Sequence, residues 1–336
     1  YLYFGNPNLR YVKLGNSDIK VSAMGLGCMG MTHAYGAPSD ENEMIKLIRS
    51  AFDMGITFFD TAECYVGTGE DGSVIYNEEL VGKALKTFRS KVVIASKFGV
   101  HHNADGTLLT DSRPETIRKS VEGSLKRLGT DHIDLYYQHR IDPMVEPEEV
   151  AVVMSDLIKD GKIRAWGVSE AGMSYIRRAD KVCRITAVQN RFSMMYRNYE
   201  DMLPELDAMG IAFVAHSPLA NGFLSGRYDK SSRFDKRYDY RSSMPQFKAE
   251  SIDKNSELLE LLNRMSELKQ ATPAQISLSW LIAKGIIPIP GTRKNIRLKE
   301  NAGAVDIKLT QNEVSDIDRA LANMEMSAVF GGHRAS

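Results

Sequence analysis

Short apolar runs alternate with amphipathic helical segments along nearly the whole chain, and this alternation limits the possible folds more than any other sequence feature. The runs are rich in Val, Ile and Phe, and residues 56–60 and 92–97 are two examples. Continuous apolar runs of this length are typical of parallel strands buried on both faces. Eight strand–helix units in strict succession predict a closed (β/α)8 barrel, with a doubly wound open sheet as the alternative.

Three further segments refine this α/β architecture. Residues 11–20 are predicted to form a short hairpin ahead of the first buried strand, which we place at residues 21–26. The connection that follows the seventh strand, residues 220–255, is longer than usual loops. Because it starts at the mouth of the barrel, we expect it to act as a lid or clamp.

The chain is predicted to hold a single TIM-type barrel domain over residues 10–325, which ends with an extra helix at residues 311–324. Residues 326–336 are predicted to be a C-terminal tail. Residues 1–9 resemble the remnant of a protease tag and are left out of the fold prediction.

Composition argues against several classes of protein. The chain has 43 basic and 43 acidic residues in 336, so it lacks the basic excess of a nucleic-acid binder. It contains no apolar stretch of the roughly 20 residues that a membrane span needs. Its three cysteines lie far apart and form neither a CxxC motif nor a disulfide framework, which predicts a reducing, cytoplasmic location.

Charged or polar residues close three successive predicted strands. Asp60, Lys97 and His139 stand at these strand ends, and Tyr65 follows in the first loop. Because the carboxyl ends of barrel strands share one mouth, we expect the four side chains to meet there. Ordinary polar strand ends are the alternative, but an unpaired buried charge is costly.

This set of residues suits proton transfer to a carbonyl group. An ammonium such as that of Lys97 lowers the pKa of a neighbouring phenol, and Asp60 would hold Lys97 charged and oriented. Tyr65 would then donate a proton to a carbonyl oxygen that His139 fixes by a hydrogen bond. Protein side chains supply no hydride, so a nicotinamide cofactor is implied.

Other motifs in the chain are weaker. Residues 25–30 read GxGxxG, but a loop rather than a helix follows them, which argues against a dinucleotide fingerprint of the Rossmann type. Residues 167–172 almost match a hydrolase nucleophile elbow, except that the second glycine comes one position late. The histidines lack further ligands at metal spacing, so we predict no metal site and do not favour a metal-dependent hydrolase.

Together these motifs resemble those of the aldo-keto reductase family, and the similarity runs from about Arg10 to Met324. The segments that carry it are Gly25-Leu26-Gly27-Cys28-Met29-Gly30, Phe59-Asp60-Thr61-Ala62 with Tyr65, Ser96-Lys97, Gln138-His139-Arg140, Gly167-Val168-Ser169, Ala187-Val188-Gln189, Ser217-Pro218-Leu219, and Gly291-Thr292-Arg293 with Glu300-Asn301. The resemblance implies the (β/α)8 fold and NADPH-dependent reduction of aldehydes or ketones.

By this resemblance, Tyr65 is the general acid, Lys97 and Asp60 tune it, and His139 orients the carbonyl. The residues expected to bind the cofactor are Gly27, Cys28, Met29, Ser169, Gln189, His216, Ser217, Pro218, Leu219, Gly222, Phe223, Leu224, Gly226, Gly291, Thr292, Arg293, Arg297, Glu300 and Asn301. Two positions depart from the common pattern, since His216 replaces a frequent Tyr and Glu170 a frequent Asn.

The stretch 293–301 carries four cations, all within its first seven positions, at the start of a predicted helix, against the usual preference for acids there. Arginine binds phosphate bidentately, so the cluster suits the 2′-phosphate of NADPH rather than NADH. The resemblance assigns this phosphate to Arg293 and Arg297, and the adenine to Glu300 and Asn301.

The substrate is expected to be a small carbonyl compound. Candidate lining residues at the mouth are Met31, Tyr35, Val66, Phe98, Arg140 and the segment 238–240. The family resemblance also includes accessory subunits of potassium channels that bind the nucleotide, and a regulatory role of that kind is the alternative function. The sequence leaves open whether the protein is a monomer or a homo-oligomer.

Overall fold

A computed structural model describes residues 10–103, 107–236 and 239–331. The strands in chain order are β1 (Tyr11–Lys13), β2 (Lys20–Ser22), β3 (Leu26–Gly27), β4 (Phe58–Asp60), β5 (Val66–Thr68), β6 (Val74–Tyr76), β7 (Val93–Phe98), β8 (Val100–His102), β9 (Leu108–Thr110), β10 (Ile133–Gln138), β11 (Ile163–Ser169), β12 (Ala187–Arg191), β13 (Ala212–His216) and β14 (Ile287–Pro288). The helices are α1 (Glu41–Asp53), α2 (Asn77–Leu85), α3 (Pro114–Leu128), α4 (Pro147–Lys159), α5 (Met173–Val182), α6 (Leu203–Met209), α7 (Ala249–Lys254), α8 (Ser256–Lys269), α9 (Pro273–Ala283), α10 (Asn295–Ala302) and α11 (Gln311–Asn323).

Eight strands form one parallel sheet in the order β3, β4, β7, β10, β11, β12, β13, β14. The two ends of this sheet meet, because Gly25 N donates to Pro288 O at 3.0 Å and Gly27 N donates to Pro290 O at 3.2 Å. The predicted (β/α)8 barrel is therefore confirmed, and the open-sheet alternative is not. The carboxyl ends of all eight strands face the same mouth.

Local sequence signals set the helix boundaries. Pro114 begins α3, where its missing N–H costs nothing, and Gly129 ends it in the left-handed conformation (φ 63°), as expected. Capping boxes start two later helices, with Thr272 ahead of α9 and Thr310 ahead of α11.

The barrel interior is a packed core that the N-terminal hairpin closes from below. Strand side chains such as Phe58, Leu135 and Val214 fill the interior together with Leu14 and Ile19 of the predicted hairpin. A second, larger cluster lies between the strands and the surrounding helices. Both sides of each strand are thus covered, which is why the strands read as continuous apolar runs.

The first barrel strand is placed differently from the prediction. The run 21–26 is divided between β2, which pairs with β1 in the hairpin, and the short β3. Side-chain hydroxyls cause the break: Ser22 N donates to Thr57 Oγ1 and Thr57 N donates to Ser22 Oγ, each at 3.0 Å. These bonds replace backbone pairing at that point, so the ladder resumes only at Leu26.

Loops at the mouth hold more structure than expected. Two antiparallel hairpins, β5–β6 and β8–β9, extend from the loops after β4 and β7. The long connection 220–255 contains 3-10 turns and α7. The predicted tag remnant at residues 1–9 and the end of the tail lie outside the described residues, and within the described ranges no helix is long and apolar enough to cross a membrane.

Candidate active site

The barrel brings the four predicted catalytic side chains to one mouth. Asp60 ends β4, Lys97 lies in β7, and His139 follows β10 directly. Strand register aligns them, since Asp60 pairs with Ala95 and Lys97 pairs with Tyr137. Tyr65 reaches the same point from the loop between β4 and β5.

Lys97 is the centre of a buried hydrogen-bond network. Its side chain is fully buried, and Nζ donates to Asp60 Oδ1 at 2.5 Å, to Thr61 O at 2.9 Å and to Tyr65 Oη at 3.0 Å. Burial acts to lower the pKa of Lys97, but the Asp60 carboxylate and the Tyr65 oxygen outweigh it and raise the pKa above its usual range. Lys97 is therefore a buried ammonium directed at the phenol.

The pKa of Tyr65 shifts in the opposite direction from the sequence prediction. Burial raises it to about 12, although the Lys97 ammonium acts to lower it as expected. The prediction considered only the neighbouring charge, whereas desolvation of the phenolate is the larger effect in this closed environment. Tyr65 is consequently a protonated phenol at neutral pH, which is the form that a proton donor requires.

His139 contacts a thiol that the sequence did not link to it. Burial, together with the charges of Arg140 and Lys97, holds the pKa of His139 well below its usual range, so the ring is neutral. Cys64 Sγ lies 3.4 Å from His139 Nδ1. Burial also raises the pKa of the Cys64 thiol to about 12, which makes it a protonated donor and not a reactive thiolate.

A cavity of about 570 Å³ opens above these residues. Asp60, Tyr65 and His139 line its floor, and Lys97 lies behind them. Predicted cofactor residues that line the same cavity are Gly27, Met29, Ser169, Gln189, His216, Ser217, Pro218, Leu219, Gly222, Gly291, Thr292, Arg293, Arg297, Glu300 and Asn301. Residues far apart in sequence thus share one continuous space.

The remaining predicted cofactor residues do not line the cavity. Cys28, Phe223 and Leu224 direct their side chains into the main hydrophobic core. Gly226 lies near Pro273. Neighbouring backbone is nevertheless shaped for close approach, because Asn221 and Gly222 both have positive φ (61° and 97°).

Gln189 and Ser169 already have protein partners. Gln189 Nε2 donates to Asp60 Oδ2 at 2.8 Å, so this amide holds the second oxygen of the Asp60 carboxylate. Arg140 Nη1 donates to Ser169 Oγ at 3.2 Å and to His139 O at 2.6 Å. Of the two residues predicted to bind the nicotinamide amide, Gln189 thus bonds to Asp60 directly, and Ser169 shares the Arg140 donor with the carbonyl of His139.

The two departures from the family pattern, Glu170 and His216, contact each other. His216 Nε2 and Glu170 Oε1 are 2.5 Å apart, and Tyr199 Oη donates to Glu170 Oε2 at 2.9 Å. Burial lowers the pKa of His216 to about 4. Burial acts to raise the pKa of Glu170, but the bond with His216 and the charge of Arg140 outweigh it and hold the pKa at about 2. The pair is best described as a neutral imidazole that donates to a carboxylate.

The arginines at the predicted phosphate site differ in how many of their guanidinium nitrogens already have hydrogen-bond partners. Arg293 donates from Nε to Gly30 O at 2.5 Å and from Nη1 to Ala37 O at 2.9 Å, while Nη2 is buried without a partner. Arg297 and Arg227 both bond to Glu300 at 3.0 Å. The sequence did not single out Arg227, because it lies 73 residues from Glu300.

Only some of the residues predicted to line a substrate pocket at the mouth line the cavity in the structure. Tyr35, Arg140 and Tyr240 line the cavity, whereas Met31 and Phe98 are buried in the core. Val66 does not line the cavity, although its carbonyl oxygen lies 2.9 Å from His33 Nδ1. Tyr238 lies outside the described residues. Lining residues that the sequence analysis missed include His33, His102, Arg191, Asn221 and Phe330. Single polar or aromatic residues in loops give no periodic signal, so only their convergence in space reveals them.

Comparison with known proteins fits this arrangement. Residues 23–322 match the sequence profile of the Aldo/keto reductase family, which spans the barrel from β3 to α11. The chain belongs to this family. Aldo-keto reductases are oxidoreductases of small carbonyl compounds and generally bind a nicotinamide cofactor, so the protein is an oxidoreductase of this class.

Relatives of the aldo-keto reductase family resemble the chain over most of its length. A protein named Probable aldo-keto reductase 1 from Glycine max is 40% identical over 317 residues, covering 92% of this chain and 88% of that protein. The glycerol dehydrogenase AKR11B4 from Gluconobacter oxydans has a TM-score of 0.82 at 27% identity and covers 94% and 95% of the two chains. The holo form of aldo-keto reductase AKR11C1 from Bacillus halodurans has a TM-score of 0.75 at 27% identity and covers 97% and 99%.

Proposed function

We propose that this aldo-keto reductase reduces aldehydes or ketones to alcohols with NADPH and that Tyr65 is the proton donor. The observation that carries the proposal is the buried network in which Lys97 Nζ lies 3.0 Å from Tyr65 Oη and 2.5 Å from Asp60 Oδ1. The phenol faces the cavity while the ammonium lies behind it. A substrate oxygen that enters the cavity can therefore reach the Tyr65 phenol, whereas the Lys97 ammonium does not line the cavity.

In the proposed reaction, Tyr65 transfers its proton to the carbonyl oxygen as negative charge develops there. The phenolate that remains is stabilised by the adjacent Lys97 ammonium, which Asp60 and Thr61 O hold in place. Neutral His139 supports the same oxygen when Cys64 bonds to Nδ1 and Nε2 carries the ring proton. The imidazole is then a hydrogen-bond donor that adds no charge to the site.

The residues present fit NADPH. The hydroxyl of Ser169 and the amide of Gln189 line the catalytic end of the cavity and offer both donors and acceptors for a carboxamide. Arg293 has a buried Nη2 without a partner, and Arg297 lies beside it in the sequence cluster; both suit a 2′-phosphate. When bound, the nicotinamide would supply the hydride that the side chains cannot.

The first test is consumption of NADPH and of NADH, followed by absorbance, against a panel of aldehydes, ketones and quinones. We expect turnover with NADPH and a preference for one carbonyl class. Tyr65→Phe should retain NADPH binding but lose about 10²–10⁴-fold in turnover. Tyr11→Phe is the matched control, because its hydroxyl bonds to Gly55 O outside the cavity.

Retained turnover in Tyr65→Phe would contradict the assignment of the acid. Tight NADPH binding by the unaltered protein, without turnover of any carbonyl, would instead favour the regulatory accessory role. A cytoplasmic location remains a prediction from the separated cysteines, which are free thiols in the structure.

A further inference from the structure

Two arginines that line the catalytic cavity, Arg140 and Arg191, lack a carboxylate partner. No acidic side chain among the described residues places an oxygen within 4.0 Å of either guanidinium. Two other cavity arginines have carboxylate partners, since Arg227 pairs with Glu300 at 3.0 Å and Arg241 pairs with Asp239 at 2.6 Å. Apart from the predicted phosphate site, the free positive charge of the cavity is therefore concentrated at Arg140 and Arg191.

Arg191 is the more unusual of the two, because only 8% of its surface is exposed. Glu170 accepts a hydrogen bond from the backbone N–H of Arg191 at 2.7 Å and not from its guanidinium. The Glu170 oxygens are already bonded to His216 and to Tyr199. A buried cation without a bonded counterion is costly, which points to an anion that binds there.

The surroundings place this charge close to the proposed chemistry. Arg140 directly follows His139 and bonds to Ser169 Oγ at 3.2 Å. Burial lowers the pKa of Arg191, and the negative charge of Glu170 acts in the opposite direction. The positive charge of Arg140 lowers the pKa of Arg191 further, which means that the guanidinium groups of Arg140 and Arg191 repel each other. The ring of Phe330 lies 5.8 Å from Arg191 Cζ and also lines the cavity.

We propose that Arg191 and Arg140 form an anion subsite, and that the preferred substrates are carbonyl compounds that carry a carboxylate. This inference rests on the proposed function. A carboxylate accepts two parallel hydrogen bonds from a guanidinium and would relieve the repulsion between the two cations. The rings of His33, Tyr35, Tyr240 and Phe330 also line the cavity, and they would give a flat aromatic body between carbonyl and carboxylate surfaces to stack against. A cofactor phosphate has related chemistry, and the experiment separates these two sources.

The test compares 4-formylbenzoate with its methyl ester, which differ in charge and share the same aldehyde. We expect kcat/KM to be about tenfold or more higher for the acid, because a hydrogen bond to a charged group contributes more than a neutral one. Arg191→Gln should bring this ratio close to one, and Arg140→Gln is a second variant expected to lower it. Arg118→Gln removes a surface charge that pairs with Asp156 and should leave the ratio as in the unaltered protein.

Two further readouts distinguish the possible failures. Equal kcat/KM values for acid and ester would overturn the inference while leaving the reductase assignment in place. If Arg191→Gln weakened NADPH binding and preserved the ratio, the subsite would serve the cofactor and the inference would be wrong. If neither aldehyde were reduced, the proposed function would fail; benzoate binding to the protein alone, measured by calorimetry against methyl benzoate, would then still test the subsite. Benzoate binding that is lost in Arg191→Gln supports the inference, and equal binding of both compounds refutes it.

Discussion

Lys97→Met is the substitution that tests the buried network most directly. Lys97 is fully buried, and its ammonium supplies three hydrogen bonds, to Asp60, Thr61 O and Tyr65. Methionine fills a similar volume, so the change removes charge and leaves little empty space. Among the described side chains, the Asp60 carboxylate would then keep a bond from Gln189 Nε2 alone, at 2.8 Å. Breaking a buried ion pair from one side is expected to lower the free energy of unfolding by about 3–5 kcal/mol.

Substitution of Asp60, the partner of Lys97 in the ion pair, tests the same network. Asp60→Asn leaves Lys97 bonded to Thr61 O and Tyr65 but without a counterion, and a loss of similar size is expected. The double variant leaves neither charge unpaired. Its loss should therefore be smaller than the sum of the two single losses, by about 1–3 kcal/mol.

Urea unfolding followed by circular dichroism at neutral pH measures these free energies. Lys83→Met is the matched control, because Lys83 forms an exposed ion pair with Glu41, with 57% and 52% of the side chains exposed. Such a surface pair contributes at most about 1 kcal/mol. If Lys97→Met were as stable as this control, the ammonium would not be a buried structural charge. The inference that Lys97 acts on the pKa of Tyr65 would then be wrong as well.

Two other predictions concern partners of the site. Cys64→Ser keeps a donor to His139 Nδ1 and should retain most of the activity. Cys64→Ala removes this donor, so it should lower kcat about two- to tenfold and change the tautomer of His139 measured by ¹⁵N NMR. Equal kcat in the two variants would show that the thiol does not orient the ring. Glu170 has a folded pKa of about 2 against an ordinary 4.5, so its contribution to stability is present above about pH 4.5 and lost as the pH falls towards 2. Glu170→Gln should flatten the fall in unfolding free energy over that window, and an unchanged slope would show that the carboxylate is not held ionised by His216.

Sequence reasoning succeeded where the signal was local or repeated. The strand–helix alternation predicted the barrel, and Pro114 and Gly129 marked both ends of α3. It failed at 21–26, because apolar periodicity does not register the exchange of hydroxyl and backbone bonds between Ser22 and Thr57. It also failed for the net pKa shift of Tyr65, since the depth of burial cannot be read from neighbouring residues alone.

By itself the sequence determined that the chain forms eight strand–helix units and that Asp60, Lys97, His139 and Tyr65 come to one mouth, because parallel strands in a barrel place their carboxyl ends together. Only the tertiary structure decided which side chains touch across the loops. The thiol of Cys64 lies beside His139, and Glu170 pairs with His216, although the members of each pair are distant in the chain. The buried guanidinium of Arg191 has no carboxylate partner in the part of the chain that the structure describes. Such contacts depend on distances and desolvation in the folded protein, and neither has a pattern along the sequence.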